Sequence, residues 1–224
     1  MPHTVTLKKI EPVTHDTHHL VFNRPDGYQF EPGQATDFSL DKDGWRDEKR
    51  PFTFVNLPNS DTLEFVIKSY PDHDGVTEQI GQMEPGDKAL IEDAWGAIHD
   101  EGKGTFIAGG AGVTPFIAIL RHRLEKQGTL DGCKLIFSNE TEADIILRNE
   151  FQSMSGLETV FTVTEQSDSS VETHRIDKTF LKSHIMPSEG MYYVCGPEPM
   201  IDDVVEALKA LGVDDDRIVT EDLD

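Results

Sequence analysis

A chain of 224 residues with 37% apolar side chains can bury one large core or two modest ones. Its 42 acidic and 20 basic residues give a formal net charge of -22, which repels phosphate and argues against nucleic acid or an anionic membrane as partner. Two cysteines, Cys133 and Cys195, supply neither a disulfide framework nor the thiolate set of a zinc or iron–sulfur centre.

The opening MPHTVTLKK lacks the apolar stretch of a signal peptide, and the apolar runs are too short to span a bilayer. The expectation is a globular, cytoplasmic protein without membrane insertion. Up to about residue 100 the chain reads as β structure: TVTLKKI, HHLVFNR, QATDFSL, RPFTFVN, LEFVIKSY and KALIEDA are short and partly alternating, with β-branched or aromatic residues. Turns such as Pro25-Asp26-Gly27, Pro32-Gly33 and Pro85-Gly86-Asp87 separate them, which predicts an antiparallel barrel. His15, His18 and His19 cluster in a predicted strand and loop without supporting carboxylate geometry, so they are read as surface histidines and no metal site is expected. Arg50-Pro51-Phe52-Thr53 sets a bidentate phosphate donor beside a stacking ring and a hydroxyl. Taken alone, it reads as a strand with one charged end. Residues 77–83 look helical, with Gly75-Val76-Thr77 as a small residue and a hydroxyl cap ahead of free N–H groups.

After Gly104 the rhythm changes to strand and helix in alternation: TFIAG then 115–127, CKLIFSN then 142–154, TVFTVTE then 177–186, MYYVCG then 199–211, and a closing RIVTE. A parallel sheet follows from that rhythm, with the boundary in HDEGKG at 99–104, giving domains of 1–101 and 102–224. The stretch TFIAGGAGVTPFIAIL at 105–120 ends an apolar run in Gly109, Gly110 and Gly112 and starts a helix, with Thr114 as N-cap and Pro115 at the first helical position. Ile117, Leu120 and Leu124 share a face, and Gly128 is the stop. A glycine turn before a helix N-terminus lets backbone approach a pyrophosphate, although any α/β domain can use the same turn. Cys195-Gly196-Pro197-Glu198-Pro199-Met200 repeats the strand-to-helix step at the same sheet edge. Alone, Cys195 reads as a small buried hydrophobe. The acidic residues are spread along the chain, densest at 214–216 and 221–224, and read as solvated surface, with adaptation to salt left open.

In this order, Arg50-Pro51-Phe52-Thr53, Gly75-Val76-Thr77, Gly109-Gly110-Ala111-Gly112-Val113-Thr114-Pro115 and Cys195-Gly196-Pro197-Glu198-Pro199-Met200 resemble the ferredoxin-NADP reductase superfamily across nearly the whole chain. The resemblance implies an antiparallel β-barrel FAD-binding domain and a Rossmann-like α/β parallel-sheet domain for NADH or NADPH, with hydride crossing between them. Carried over residue by residue, it implies that Arg50 holds the FAD pyrophosphate and that Phe52 stands where relatives place a tyrosine against the flavin. It sets Thr53 at the flavin nitrogen that accepts hydride. Backbone of Phe65, Val66 and Ile67 edges the ring, Lys68 lies on its phosphate side, and Gly75, Val76 and Thr77 present N–H groups. Gly110, Gly112, Val113, Thr114 and Pro115 carry the nicotinamide nucleotide, and Cys195 lies beside its reacting carbon with Gly196 and Pro197. Glu221 is implied as a proton relay.

The segment SNETEADIILR at 138–148 resembles the Asn-x-Thr-Glu-x-Asp stretch of NADH-using cytochrome reductases, and with Asn139 it offers Glu140 to a ribose hydroxyl. NADH is favoured, the alternative being that Glu140 faces solvent and Arg148 or Arg175 serves a 2′-phosphate. Two departures stand out: a chain end without the terminal tyrosine of plant-type members, and no cysteine-rich extension. Electrons are therefore expected to leave the flavin directly for a flavodoxin, ferredoxin or other carrier, the acidic ones being repelled by this chain's charge. Two other readings are a flavin- or nucleotide-binding interaction module without turnover, and a reductase of free flavin.

Overall fold

The structure, a computed structural model, describes residues 2–70, 73–96 and 98–221. Short strands broken by turn residues build the first half. β1 (His3–Pro12), β2 (Thr17–Asn23), β3 (Ala35–Leu40), β4 (Arg50–Thr53), β5 (Thr62–Lys68) and β6 (Lys88–Ile91) form an antiparallel sheet in the order β4-β3-β6-β1-β2-β5. The sheet curls until its edges meet: the N–H of Val55, just past β4, donates to the Glu64 carbonyl of β5 at 2.9 Å. A nearly closed barrel results, its interior filled by alternate residues such as Leu7, Leu20, Phe22, Phe38, Leu63 and Phe65.

One helix, α1 (Val76–Gly81), packs on the barrel. It is shorter than the predicted 77–83 and starts one residue earlier, because Val76 and Ile80, four apart, are the pair that buries. Gly75 is therefore the N-cap, and Thr77 lies inside the first turn instead of capping it.

Five strands, β7 (Gly104–Gly109), β8 (Cys133–Asn139), β9 (Leu157–Val163), β10 (Met191–Cys195) and β11 (Ile218–Thr220), form a parallel sheet in the order β11-β10-β7-β8-β9. Every residue of β7 is buried, as a central strand covered on both faces requires. The helices are α2 (Thr114–Gln127), α3 (Arg148–Ser153), α4 (Lys178–His184) and α5 (Glu198–Ala210). Gly128 ends α2 at φ +75°, as the sequence predicts, while Pro115 falls at the second helical position, one later than expected, because the helix already begins at Thr114. Thr114 is not the cap: a 3-10 turn at Gly110–Val113 already brings the chain into helical conformation, and the Thr114 hydroxyl donates back to the Ala111 carbonyl at 3.0 Å. The single helix expected at 142–154 is also broken. Thr141 and Asp144 form a reciprocal capping box around a 3-10 turn, Ile145 and Ile146 then bury in extended or irregular backbone, and Leu147 takes φ +52° before α3 begins.

The two sheets share apolar packing. Val55 and Val66 of the barrel side join Phe116, Ile119 and Leu120 of α2 in one buried cluster. Arg121 of α2 donates to the Val55 carbonyl at 2.8 Å while its other nitrogens grip Glu150 at 2.6 and 2.8 Å. Among the described residues no helix is long and apolar enough to cross a membrane.

A close backbone approach joins the turn after β7 to the turn after β10. A Cβ on Gly112 would sit 2.6 Å from the backbone of Cys195 and Gly196, where no flexible side chain can yield. Gly112→Ala is expected to cost about 2 kcal/mol of stability, read as a fall of several degrees in Tm. An unchanged melt would show that the two turns can separate.

Candidate active site between the barrel and the parallel sheet

The strand order of the parallel sheet reverses between β7 and β10, so the chain leaving their carboxyl ends diverges and opens a crevice. The barrel closes the other side. The resulting cleft has a volume of about 650 Å³, within the range of small-molecule sites. From the barrel it is lined by Pro51, Phe52 and Thr53 of β4, Val66, Ile67 and Lys68 of β5, and Thr77 of α1. Gly110, Gly112 and Thr114 line it from the turn after β7, Asn139 and Glu140 from the end of β8, and Cys195, Gly196 and Pro197 from the end of β10, with Glu221 just after β11.

Each side chain is held by its element. Phe52 rests edge-on against Phe38 of β3, ring centroids 5.5 Å apart, and Thr53 is 8% exposed opposite Ala35 in the ladder. Asn139 is 6% exposed, and neither its amide nitrogen nor its oxygen has a hydrogen-bond partner in the protein. Such a buried amide leaves one donor group and one acceptor open toward the cleft wall. The Cys195 thiol donates to Glu221 Oε2 at 3.7 Å. Burial pushes that thiol well up, and the Glu221 carboxylate pushes it further. Burial also raises the Glu221 carboxyl, its contact with the Cys195 thiol offsetting part of the shift.

Other residues singled out from the sequence lie outside the lining. Arg50 is exposed, donating to the Lys49 carbonyl at 2.6 Å with Glu48 3.5 Å away. Phe65 faces the barrel core, where its backbone pairs with Leu20, and Val76, Val113 and Pro115 bury their side chains in packing. Gly75 caps α1 from outside the lining. The sequence reading missed Tyr70, Asp144, Thr164 and Met200, all of which line the cleft. Tyr70 carried a signal, being an aromatic at a strand end; it is 44% exposed and tilted against His73, free to face a planar ring. Asp144 and Met200 sit within the quoted Asn-x-Thr-Glu-x-Asp and Cys195–Met200 motifs without being singled out, and Thr164 carried no local mark.

His15, Asp16 and Asp144 bring ligand-type atoms within 4.8 Å of one another. Lys68 already pairs with Asp16 at 3.0 Å, and the Thr141 N–H and hydroxyl both donate to Asp144. Burial alone would raise the Asp16 carboxyl, but hydrogen bonds from Lys68, Thr14 and Thr17 hold it below its ordinary value. The cluster thus links the β1–β2 turn to the parallel-sheet half, with His15 3.6 Å from both Asp16 and Asp144.

A barrel packed on a parallel five-stranded sheet, with the cleft at the strand-order reversal, is the fold of ferredoxin reductase-like oxidoreductases. The structure of a ferredoxin NADP+ reductase from Neisseria gonorrhoeae with bound FAD and NADP superposes at a TM-score of 0.85, with 21% identity, covering 98% of this chain and 97% of that one. Residues 106–206 match the family described as "Oxidoreductase NAD-binding domain". It is 29% identical over 221 residues to NADH-cytochrome b5 reductase 2 of Mycosarcoma maydis, covering 88% of this chain and 62% of the relative. The reductase component of propane 2-monooxygenase from Rhodococcus jostii is 27% identical over 229 residues, covering 95% and 61%. The chain therefore spans about three fifths of the length of these curated relatives.

Because Glu221 repels a thiolate, Glu221→Gln is expected to lower the Cys195 pKa in part, burial remaining the larger cause. The pH dependence of thiolate absorbance or alkylation reads this. The folded-state pKa of Glu221 is raised, so its contribution to stability is present below the unfolded value near 4.5 and is lost as pH rises through the folded value. The stability of Glu221→Gln relative to wild type is therefore expected to improve from acid to neutral pH, measured by paired melts.

Proposed function

We propose that the chain is an NAD(P)H-dependent FAD oxidoreductase that favours NADH and passes electrons to a separate carrier. The observation that carries this reading is the single cleft in which Thr53, from the barrel, and Cys195, from the parallel sheet, face the same space. The residues present suit both groups: Phe52 and Tyr70 offer ring faces, Asn139 an unmet amide, and the turn at 109–112 a backbone with no side chains beyond Ala111. When bound, the flavin accepts hydride from the nicotinamide and releases electrons singly.

The protein's part is positional. Pro51 to Thr53 and Val66 to Lys68 would hold the flavin from the barrel side, with the Thr53 hydroxyl available as a hydrogen-bonding group to it. Gly110, Gly112 and the start of α2 offer N–H groups and the positive helix end to a pyrophosphate. Cys195, Gly196 and Pro197 would bound the nicotinamide from the parallel-sheet side, and holding both rings in one cleft would make the transfer effectively intramolecular. The thiol stays protonated, since burial and Glu221 both oppose its ionisation, so it acts by shape and as a proton donor toward Glu221. Glu221, with its raised pKa, can hold a proton at the cleft edge. Glu140 lines the cleft as an exposed carboxylate that favours a ribose hydroxyl over a phosphate.

The first relative is named for cytochrome b5 and the second for a monooxygenase, so a haem protein or an oxygenase is the class of acceptor this reading favours. Anaerobic titration of the FAD-reconstituted protein is expected to bleach the flavin spectrum with NADH ahead of NADPH. Thr53→Ala should slow that bleaching by at least ~10-fold. Bound flavin that neither nucleotide bleaches would overturn the reading. Charge adds a second expectation: with a net charge of -22, reduction of the anionic acceptor ferricyanide should accelerate as salt is raised, and a cationic acceptor should slow. Stopped-flow rates across ionic strength measure it.

A further inference from the structure

Beside the cleft, one carboxylate is bonded far more densely than a surface residue needs. Glu142 opens the 3-10 turn that ends at Asp144, itself a cleft residue, and Arg148 begins α3 four residues later. One oxygen of Glu142 accepts from Arg148 Nη1 at 2.6 Å and from the Ser170 hydroxyl at 2.5 Å. Its other oxygen accepts from the Ser169 hydroxyl at 2.8 Å and the Ser170 N–H at 2.6 Å. The Arg148 guanidinium also lies 5.7 Å from the centroid of the Phe161 ring. These bonds, the Ser170 hydroxyl and N–H foremost, pull the Glu142 carboxyl down to about 2, so it is ionised at any neutral pH.

The clasp also fixes the neighbouring loop. The Glu142 N–H donates to Gln166 Oε1 at 2.9 Å, and the Glu165 N–H donates to the Glu140 carbonyl at 2.9 Å. Glu140, Asp144 and Thr164, all lining the cleft, thereby adjoin the loop against which Arg148 is held. Two carboxylates face the cleft at this end, while Arg148 lies outside its lining.

We propose that Glu142 is a selectivity residue: by clasping Arg148 against the 169–170 turn, it withholds a guanidinium that would otherwise serve a nucleotide 2′-phosphate. The cleft then selects the unphosphorylated adenosine ribose. This rests on the nucleotide-binding reading above and deepens it. Arginine is the side chain suited to a phosphate, and its withdrawal removes the attraction while the carboxylates remain to repel.

The test needs no turnover. ADP and adenosine 2′,5′-bisphosphate are titrated by calorimetry into the full chain, its Glu142→Gln variant, and the double variant with Arg148→Gln. Glutamine keeps an acceptor for the Ser169 and Ser170 donors but gives Arg148 no charge partner. Wild type should prefer ADP. Glu142→Gln should move the ratio of Kd values about tenfold toward the bisphosphate, and adding Arg148→Gln should cancel that shift. An unchanged ratio, equal weakening of both ligands, or a shift that survives loss of Arg148 would overturn the proposal. Should Glu142→Gln fail to fold, Arg148→Gln alone decides: an unaltered wild-type ratio supports a withheld arginine, and selective loss of bisphosphate binding overturns it. If wild type binds neither ligand, this inference and the nucleotide reading fall together, whereas ADP binding with an unmoved ratio removes this inference alone.

Discussion

The approach of Gly112 to the backbone of Cys195 and Gly196 is the contact on which the rest of the molecule depends. Two strands neighbouring in the sheet, β7 and β10, send their chains in opposite directions, and the crevice between them exists only while the two turns touch at its root. A side chain at position 112 would wedge them apart. With the turns in contact, the start of α2 faces the barrel, and Phe116, Ile119 and Leu120 meet Val55 and Val66 in a shared core. The cleft is therefore a by-product of close packing, and its walls inherit the rigidity of a core.

Electrostatics works on the same frame in the opposite sense, by removing charge from use. Cations near the barrel rim are paired: Arg46 with Asp41 and Asp43, Lys49 with Glu92, Arg50 with Glu48, and Lys68 with Asp16. Exposed pairs of this kind contribute little stability, roughly 0–1 kcal/mol each. Their effect is on recognition, because a ligand or acceptor meets a surface where 42 acidic residues face 20 basic ones, several of the latter already paired. Arg148 within the Glu142 clasp extends this to the cleft's edge. Where a phosphate must be held, backbone N–H groups and a helix end remain to do it.

Local chemistry that acts within a few residues could be read directly. Pro115 and Gly128 bound α2 because a missing N–H and a positive φ have the same consequences in any fold. Alternation with turn residues announced the barrel, and the βαβ rhythm announced the parallel sheet. Thr114 and Thr77 were misread for a shared reason: hydroxyl and glycine signals mark a helix start to within a turn, and burial of Val113 or Val76 chooses the residue. The break at Ile145 to Leu147 was hidden too, since apolar residues at those positions fit a helix until the core claims Ile145 and Ile146 for another direction.

What the sequence determined by itself was the order of elements, the two kinds of sheet and the residues able to turn tightly before a helix, because each depends on bonds between near neighbours. Tertiary structure alone decided that Thr53 and Cys195 share one space, that Asn139 is buried with both amide ends unmet, and that Arg148 is held by Glu142 and Ser170. These depend on how strands far apart in the chain cross and pack, and no interval along the sequence encodes the distance between them.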